Sequence, residues 1–115
     1  MSARDELATA ATATGLVNIG PHYRQTLRPG EGFVRWAQRV RPGNGLGWID
    51  TWEVWVALSQ DNETAERWLD TNLAAVVAAV ETEATVTGVS ANVLGLGGSN
   101  NTNGIIITAA RGSAD

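Results

Sequence analysis

Cysteine is absent from the 115 residues, and so is lysine. Without thiols the chain can build no disulfide framework, no thiolate zinc or iron site and no cysteine nucleophile. All 8 basic residues are arginines, set against 12 acids, for a net charge of -4. That balance is poor for holding nucleic acid, because phosphate neutralisation needs a basic patch. Long apolar runs are missing as well. The most apolar stretch, residues 73–80, falls far short of the roughly 20 residues that a membrane-crossing helix requires. Arg4 is followed at once by Asp5 and Glu6, so no apolar signal-peptide core is expected there. The expectation is a soluble protein that stays in the cell that makes it. One histidine, His22, stands between Pro21 and Tyr23 with no acid beside it, and reads as a structural residue.

Proline and glycine are unevenly spread. All 3 prolines lie at positions 21, 29 and 42, and residues 48–87 contain neither proline nor glycine. That uninterrupted middle is the expected structural heart of a single domain spanning 1–115. A chain of this length can bury roughly two-thirds of its unfolded surface, which allows a core without metals or disulfides.

Ser2 and Asp5 stand three apart, as in a capping box, and predict a helix over 3–14 ending at Gly15. Its large apolar groups are few, so docking must stabilise it. Residues 16–21 read as a connector and 23–27 as a short strand. The turn at 28–32 leads into a strand over 33–40, with Phe33, Arg35, Ala37 and Arg39 on one side and Val34, Trp36, Gln38 and Val40 on the other. A mobile loop is expected over 41–47. Residues 48–58 predict the clearest strand: Trp48, Trp52, Val54, Val56 and Leu58 share one face with Asp50 as intruder, and Ile49, Thr51, Glu53, Trp55 and Ala57 share the other.

The clearest helix is predicted over 61–80. Ala65, Trp68, Leu69, Leu73, Val76, Val77 and Val80 form one stripe, and Ala74, Ala75, Ala78 and Ala79 occupy the far side. Those alanines read as solvent-exposed, although small side chains also permit close approach by a second surface. Residues 85–94 and 105–110 predict two more strands, paired as a hairpin with a long flexible tip over 95–104, and 111–115 predicts a frayed tail. The order is helix, two or three strands, long helix, two strands. It predicts an α+β fold: a mixed or antiparallel sheet with an N-terminal helix and one long helix packed on one face.

No catalytic, cofactor-binding or metal-binding residues are expected. Glu63 and Glu66 complement the positive end of the long helix, and Asp50 and Glu53 point to opposite faces of their strand, so they form no acid pair. The glycine-rich run 95–100 lacks the lysine of a phosphate loop and lies between strands. The 5 tryptophans, at 36, 48, 52, 55 and 68, say more. Trp52 and Trp68 fit the core. Trp55 shares its face with Glu53 and Thr51, so its indole either lies beneath another element or belongs to an interface, where tryptophan is enriched. Asp50 reads either as an exposed strand end or as a partner for an arginine of another subunit. The candidate interface residues are therefore Trp55, Glu53, Asp50, Ala74 and Ala78.

Three segments carry a resemblance: Leu27, Arg28, Pro29, Gly30, Glu31, Gly32 and Phe33; then Trp52, Glu53, Val54, Trp55, Val56, Ala57 and Leu58, followed by Ala65, Glu66, Arg67, Trp68, Leu69 and Asp70; and the closing Gly104, Ile105, Ile106, Ile107 and Thr108. In order and size the chain resembles the tail terminators of long-tailed bacteriophages, the minor tail protein U type. The resemblance implies a homo-oligomeric ring, usually of six copies. Such a ring binds the end of the tail tube, stops its polymerisation and offers the head-joining surface to connector or neck proteins. DNA only passes through its lumen, and the location implied is the head-proximal end of the virion tail, with assembly in the host cytoplasm. The resemblance supplies no catalytic residue or cofactor, and the acidic composition suits a conduit that must not retain DNA. The alternatives are another neck or head-completion protein, or a small aromatic-lined binding module.

Overall fold

In a computed structural model the described residues are 2–43, 45, 47–96 and 101–113. The α+β expectation holds. The elements run α1 (Ala3–Thr12), β1 (Asn18–Gly20), β2 (Glu31–Val40), β3 (Trp48–Ala57), α2 (Asn62–Glu81), β4 (Thr85–Gly95) and β5 (Asn101–Ser113). The strands form one mixed 5-stranded sheet in the order β1-β2-β3-β5-β4. β1 runs parallel to β2, and every other neighbouring pair is antiparallel.

Both helices start as their sequences dictate. Ser2 Oγ accepts the Asp5 amide at 3.1 Å, and Asp61 accepts the Glu63 amide at 3.3 Å, so each satisfies a donor that the first turn leaves open. The apolar stripe of α2 then packs on the sheet. Ala65, Val76 and Val80 are buried, and Trp68, Leu69, Leu73 and Val77 border them. α1 adds Leu7, Ala8 and Ala11 to the same layer, against Val34, Trp52, Val54, Val56, Ile105 and Ile107. Both helices thus cover one face of the sheet. No helix among the described residues is long and apolar enough to cross a membrane.

Four sequence expectations need correction. The short strand is Asn18–Gly20, not 23–27: Pro21 follows it, and β1 pairs in parallel with Glu31, Gly32 and Phe33. The alternation of β2 inverts midway, because a bulge lies between Trp36 and Gln38. The extra residue moves Arg39 onto the helix-covered face opposite Asp50, and Gln38 and Val40 onto the other face, opposite Thr51 and Ile49. Half of the predicted flexible tip is strand, since β4 reaches Gly95 and β5 begins at Asn101; residues 97–100 lie outside the described residues. Residues 111–113, expected to fray, complete β5 against Trp48, Ile49 and Asp50. Of the 41–47 loop, Asn44 and Leu46 also lie outside the described residues.

Candidate functional site

The sheet face away from the helices carries a second, smaller core. Phe33, Leu94 and Leu96 are buried there, with Leu27, Trp55 and Ile106 packed against them. The register explains the grouping: Phe33 pairs with Trp55 across β2 and β3, and Trp55 pairs with Ile106 across β3 and β5. The Phe33 and Trp55 rings are 5.3 Å apart, and Tyr23 meets Phe33 edge-on at 5.4 Å. Tyr23 also donates its hydroxyl to the Leu96 carbonyl, which ties the segment after β1 to the end of β4.

Trp55 is therefore half-buried under its own chain. Its Nε1 donates to Glu53 at 2.9 Å, and the Arg35 guanidinium lies 5.4 Å from its ring centre. Glu53 also faces Arg35 at 3.6 Å. Glu53 and Trp55, both named as interface candidates, are joined here in one intramolecular cluster with Arg35 and Phe33.

Asp50 is neither an exposed strand end nor open to a partner subunit's arginine. It is only 5% exposed. Arg39 grips its two carboxylate oxygens from Nε at 2.6 Å and Nη2 at 2.9 Å. Trp36 Nε1 approaches one of them at 3.5 Å. The Arg39 hydrogen bonds hold the Asp50 carboxyl below the usual carboxylate range, burial pulls the other way, and the Trp36 N–H assists Arg39.

Around this pair lies a cleft of about 610 Å³ lined by Arg4, Glu6, His22, Asp50, Trp52 and Arg111, among others. Arg4 lies 5.2 Å from the Trp52 ring centre and donates to the carbonyls of Val34 and Pro21 at 2.7 and 3.1 Å. Arg111 joins Glu6 at 3.2 Å and Glu83 at 3.7 Å, locking α1, β5 and the end of α2 together. Its Nη1 makes no hydrogen bond, but Glu83 supplies the opposite charge. The polar groups of this cleft are thus largely spent on one another. His22 is exposed at its rim. Among the described residues, no group of three His, Asp or Glu side chains is placed to hold a metal ion.

Ala74 and Ala78 lie on the exposed side of α2, as the stripe predicts. Sequence reasoning missed a different set. Trp36, Val40, Val89 and Val93 are exposed, Trp36 by 46% and Val93 by 67%. All four sit on strands with an open side. Among the described residues, β1 covers the Glu31–Phe33 part of β2, and β4 pairs with β5 alone. The missed signal was negative: residues 85–95 contain no charge and no proline, the devices that normally guard a sheet edge. No protein-family model matches the chain, and no curated protein matches it.

Proposed function

We propose that this chain is a structural virion protein that assembles as a ring on the head-proximal end of a phage tail tube, stops tube growth and presents the head-joining surface. The observation that carries the reading is a sheet left open at both sides, with large apolar side chains exposed on the open strands. Such surface is costly in a monomer and is ordinarily covered by another chain. Two different open sides favour head-to-tail contact, which closes into a ring when the rotation between copies allows it. The acidic balance fits a lumen that DNA crosses without being held. The order and size of the elements agree with the tail-terminator resemblance. The residues that elsewhere form reactive groups are here tied in structural pairs: Asp50 to Arg39, and Glu6 to Arg111.

Light scattering with mass determination, followed by electron microscopy of tail tubes grown with and without the protein, tests the reading. The expected result is a discrete oligomer of several copies, and tubes that stop growing once capped. An oligomer that leaves tube growth unchanged points instead to a neck or head-completion protein. A monomer at every concentration, with tubes of unaltered length, refutes assembly altogether.

A further inference from the structure

We infer that residues 21–29 are a strap that lifts from the sheet as a unit, uncovering the second core while the helix-covered core stays folded. The inference concerns a single copy of the chain and goes beyond the assembly proposed above.

Topology makes the strap necessary. β1 and β2 are parallel neighbours, so the chain leaving Gly20 must travel back before it enters β2 at Glu31. Such a crossover is usually a helix, which satisfies its own backbone groups. Here it has neither helix nor strand. Among the described residues, no backbone N–H of residues 22–27 finds an acceptor in the chain, and residues 22–26 are exposed to water.

The two ends are pinned to the sheet. Gly30 donates to the Ala57 carbonyl at 2.8 Å and accepts from the Asn18 amide at 2.8 Å. Its φ of 88° suits the sharp turn into β2. At the other end the Pro21 carbonyl accepts from Arg4 at 3.1 Å. The stretch between can therefore swing away without loosening the strand ladder.

Side chains alone hold the middle down. Tyr23 meets Phe33 edge-on and donates its hydroxyl to the Leu96 carbonyl, yet it is 58% exposed. Leu27 packs against Phe33, Leu94 and Leu96, which are buried. Arg24 faces Glu31 only at 4.0 Å and in water, which contributes little. Local opening selects segments with few buried contacts and no backbone bonds of their own. By that measure the strap opens well before the core beneath α1 and α2.

Trypsin reads the opening in the unmodified protein. Lysine is absent, Arg28 and Arg41 precede proline, and Arg4, Arg35, Arg39, Arg67 and Arg111 lie in helices or strands, so Arg24 is the cleavable site of the strap. The expected result is a first cut between Arg24 and Gln25, roughly 100-fold faster than cuts elsewhere and nearly insensitive to low urea. Tyr23→Phe and Leu27→Ala should each speed that cut, by about fivefold or more. Thiol labelling follows the core beneath, since the chain has no cysteine. Leu94→Cys, in the second core, should label faster than its own global unfolding allows, and Ile107→Cys, in the helix-covered core, only at the global rate. Cleavage at Arg24 no faster than at Arg67 or Arg111 means that the strap opens only with the whole chain, and overturns the inference. A fast cut that ignores both substitutions shows a loop cleaved in place, and overturns it as well. So does a fast cut with Leu94→Cys labelled only at the global rate, because the core then stays covered.

Discussion

Replacing Asp50 by asparagine is expected to destabilise the fold by about 2 kcal/mol at neutral pH. The side chain is 5% exposed and receives two short hydrogen bonds from Arg39, at 2.6 and 2.9 Å. Bonds to a charged group contribute about 1.5–3 kcal/mol each in favourable cases. Arg39 is partly open to water, so solvent recovers a share of the loss on its side, which brings the sum to about 2 kcal/mol. For a chain of this length that lowers the melting temperature by about 8 °C. Arg39→Met should cost more, about 3 kcal/mol, since it leaves a buried carboxylate with the long Trp36 N–H approach in place of two short hydrogen bonds. It also removes the stacking of Arg39 over Trp48 at 5.6 Å. Urea unfolding of the two singles and the double gives the coupling, which should exceed 1 kcal/mol. The pH dependence follows from the lowered Asp50 carboxyl. A group held more acidic in the folded state contributes fully above the unfolded value of about 3.9. The contribution disappears as pH falls below that, through the folded value. The gap between wild type and Asp50→Asn should therefore close only in acid, below about pH 4. An Asp50→Asn variant within about 0.5 kcal/mol of wild type at pH 7, no more than an ordinary surface substitution shows, refutes the buried-pair reasoning.

Gly32→Ala should abolish stable folding, because the new Cβ would be driven into the Trp55 carbonyl on one side and toward Ile19 on the other; Gly43→Ala, where nothing lies within 4 Å, is the neutral control in the same circular dichroism melt. Trp68→Ala should cost about 2–3 kcal/mol in urea unfolding, below the about 3–5 kcal/mol of a fully enclosed aromatic, because Trp68 only borders the core. Ser2→Ala removes the cap that accepts the Asp5 amide at 3.1 Å and should lower stability by about 1 kcal/mol, with hydrogen exchange rising first in α1.

β3 and α2 were legible because each carries its own period without a break: alternation over residues 48–57, and a three-and-four stripe from Ala65 to Val80. β1 was not. A parallel strand of 3 residues leaves no pattern of its own, and its existence depends on β2 lying beside it. The bulge after Trp36 was hidden for a similar reason. Simple alternation puts Arg39 on the face opposite Asp50, and so left the acid looking either exposed or destined for another subunit. One extra residue brings the two together. The error at Asp50 was thus an error about register, passed on to the site. The exposed apolar side chains were invisible for a further reason. Val89 and Val93 read as ordinary strand residues, and only the strand order puts them on an uncovered edge.

These placements change which tryptophan can report on assembly. Sequence alone points to Trp55→Arg as the probe, because the indole shares a strand face with Glu53 and Thr51. In the folded chain that ring packs on Phe33 at 5.3 Å and holds Glu53 at 2.9 Å. Its loss should cost about 2 kcal/mol of folding stability, and any failure to assemble would be ambiguous. Trp36 makes the cleaner probe. It lies on the open half of β2, 46% exposed, and its indole N–H makes a long 3.5 Å approach to Asp50. Trp36→Arg should leave urea stability within about 1 kcal/mol of wild type, since little packing is lost. It should still weaken self-association, because a buried aromatic anchor at an interface typically contributes about 2 kcal/mol or more. Mass measured over a dilution series separates the two effects. If Trp36→Arg assembles at wild-type concentrations while Trp55→Arg, refolded and intact, does not, the contact lies on the Phe33–Trp55 face and the open edge of β2 is not the joint.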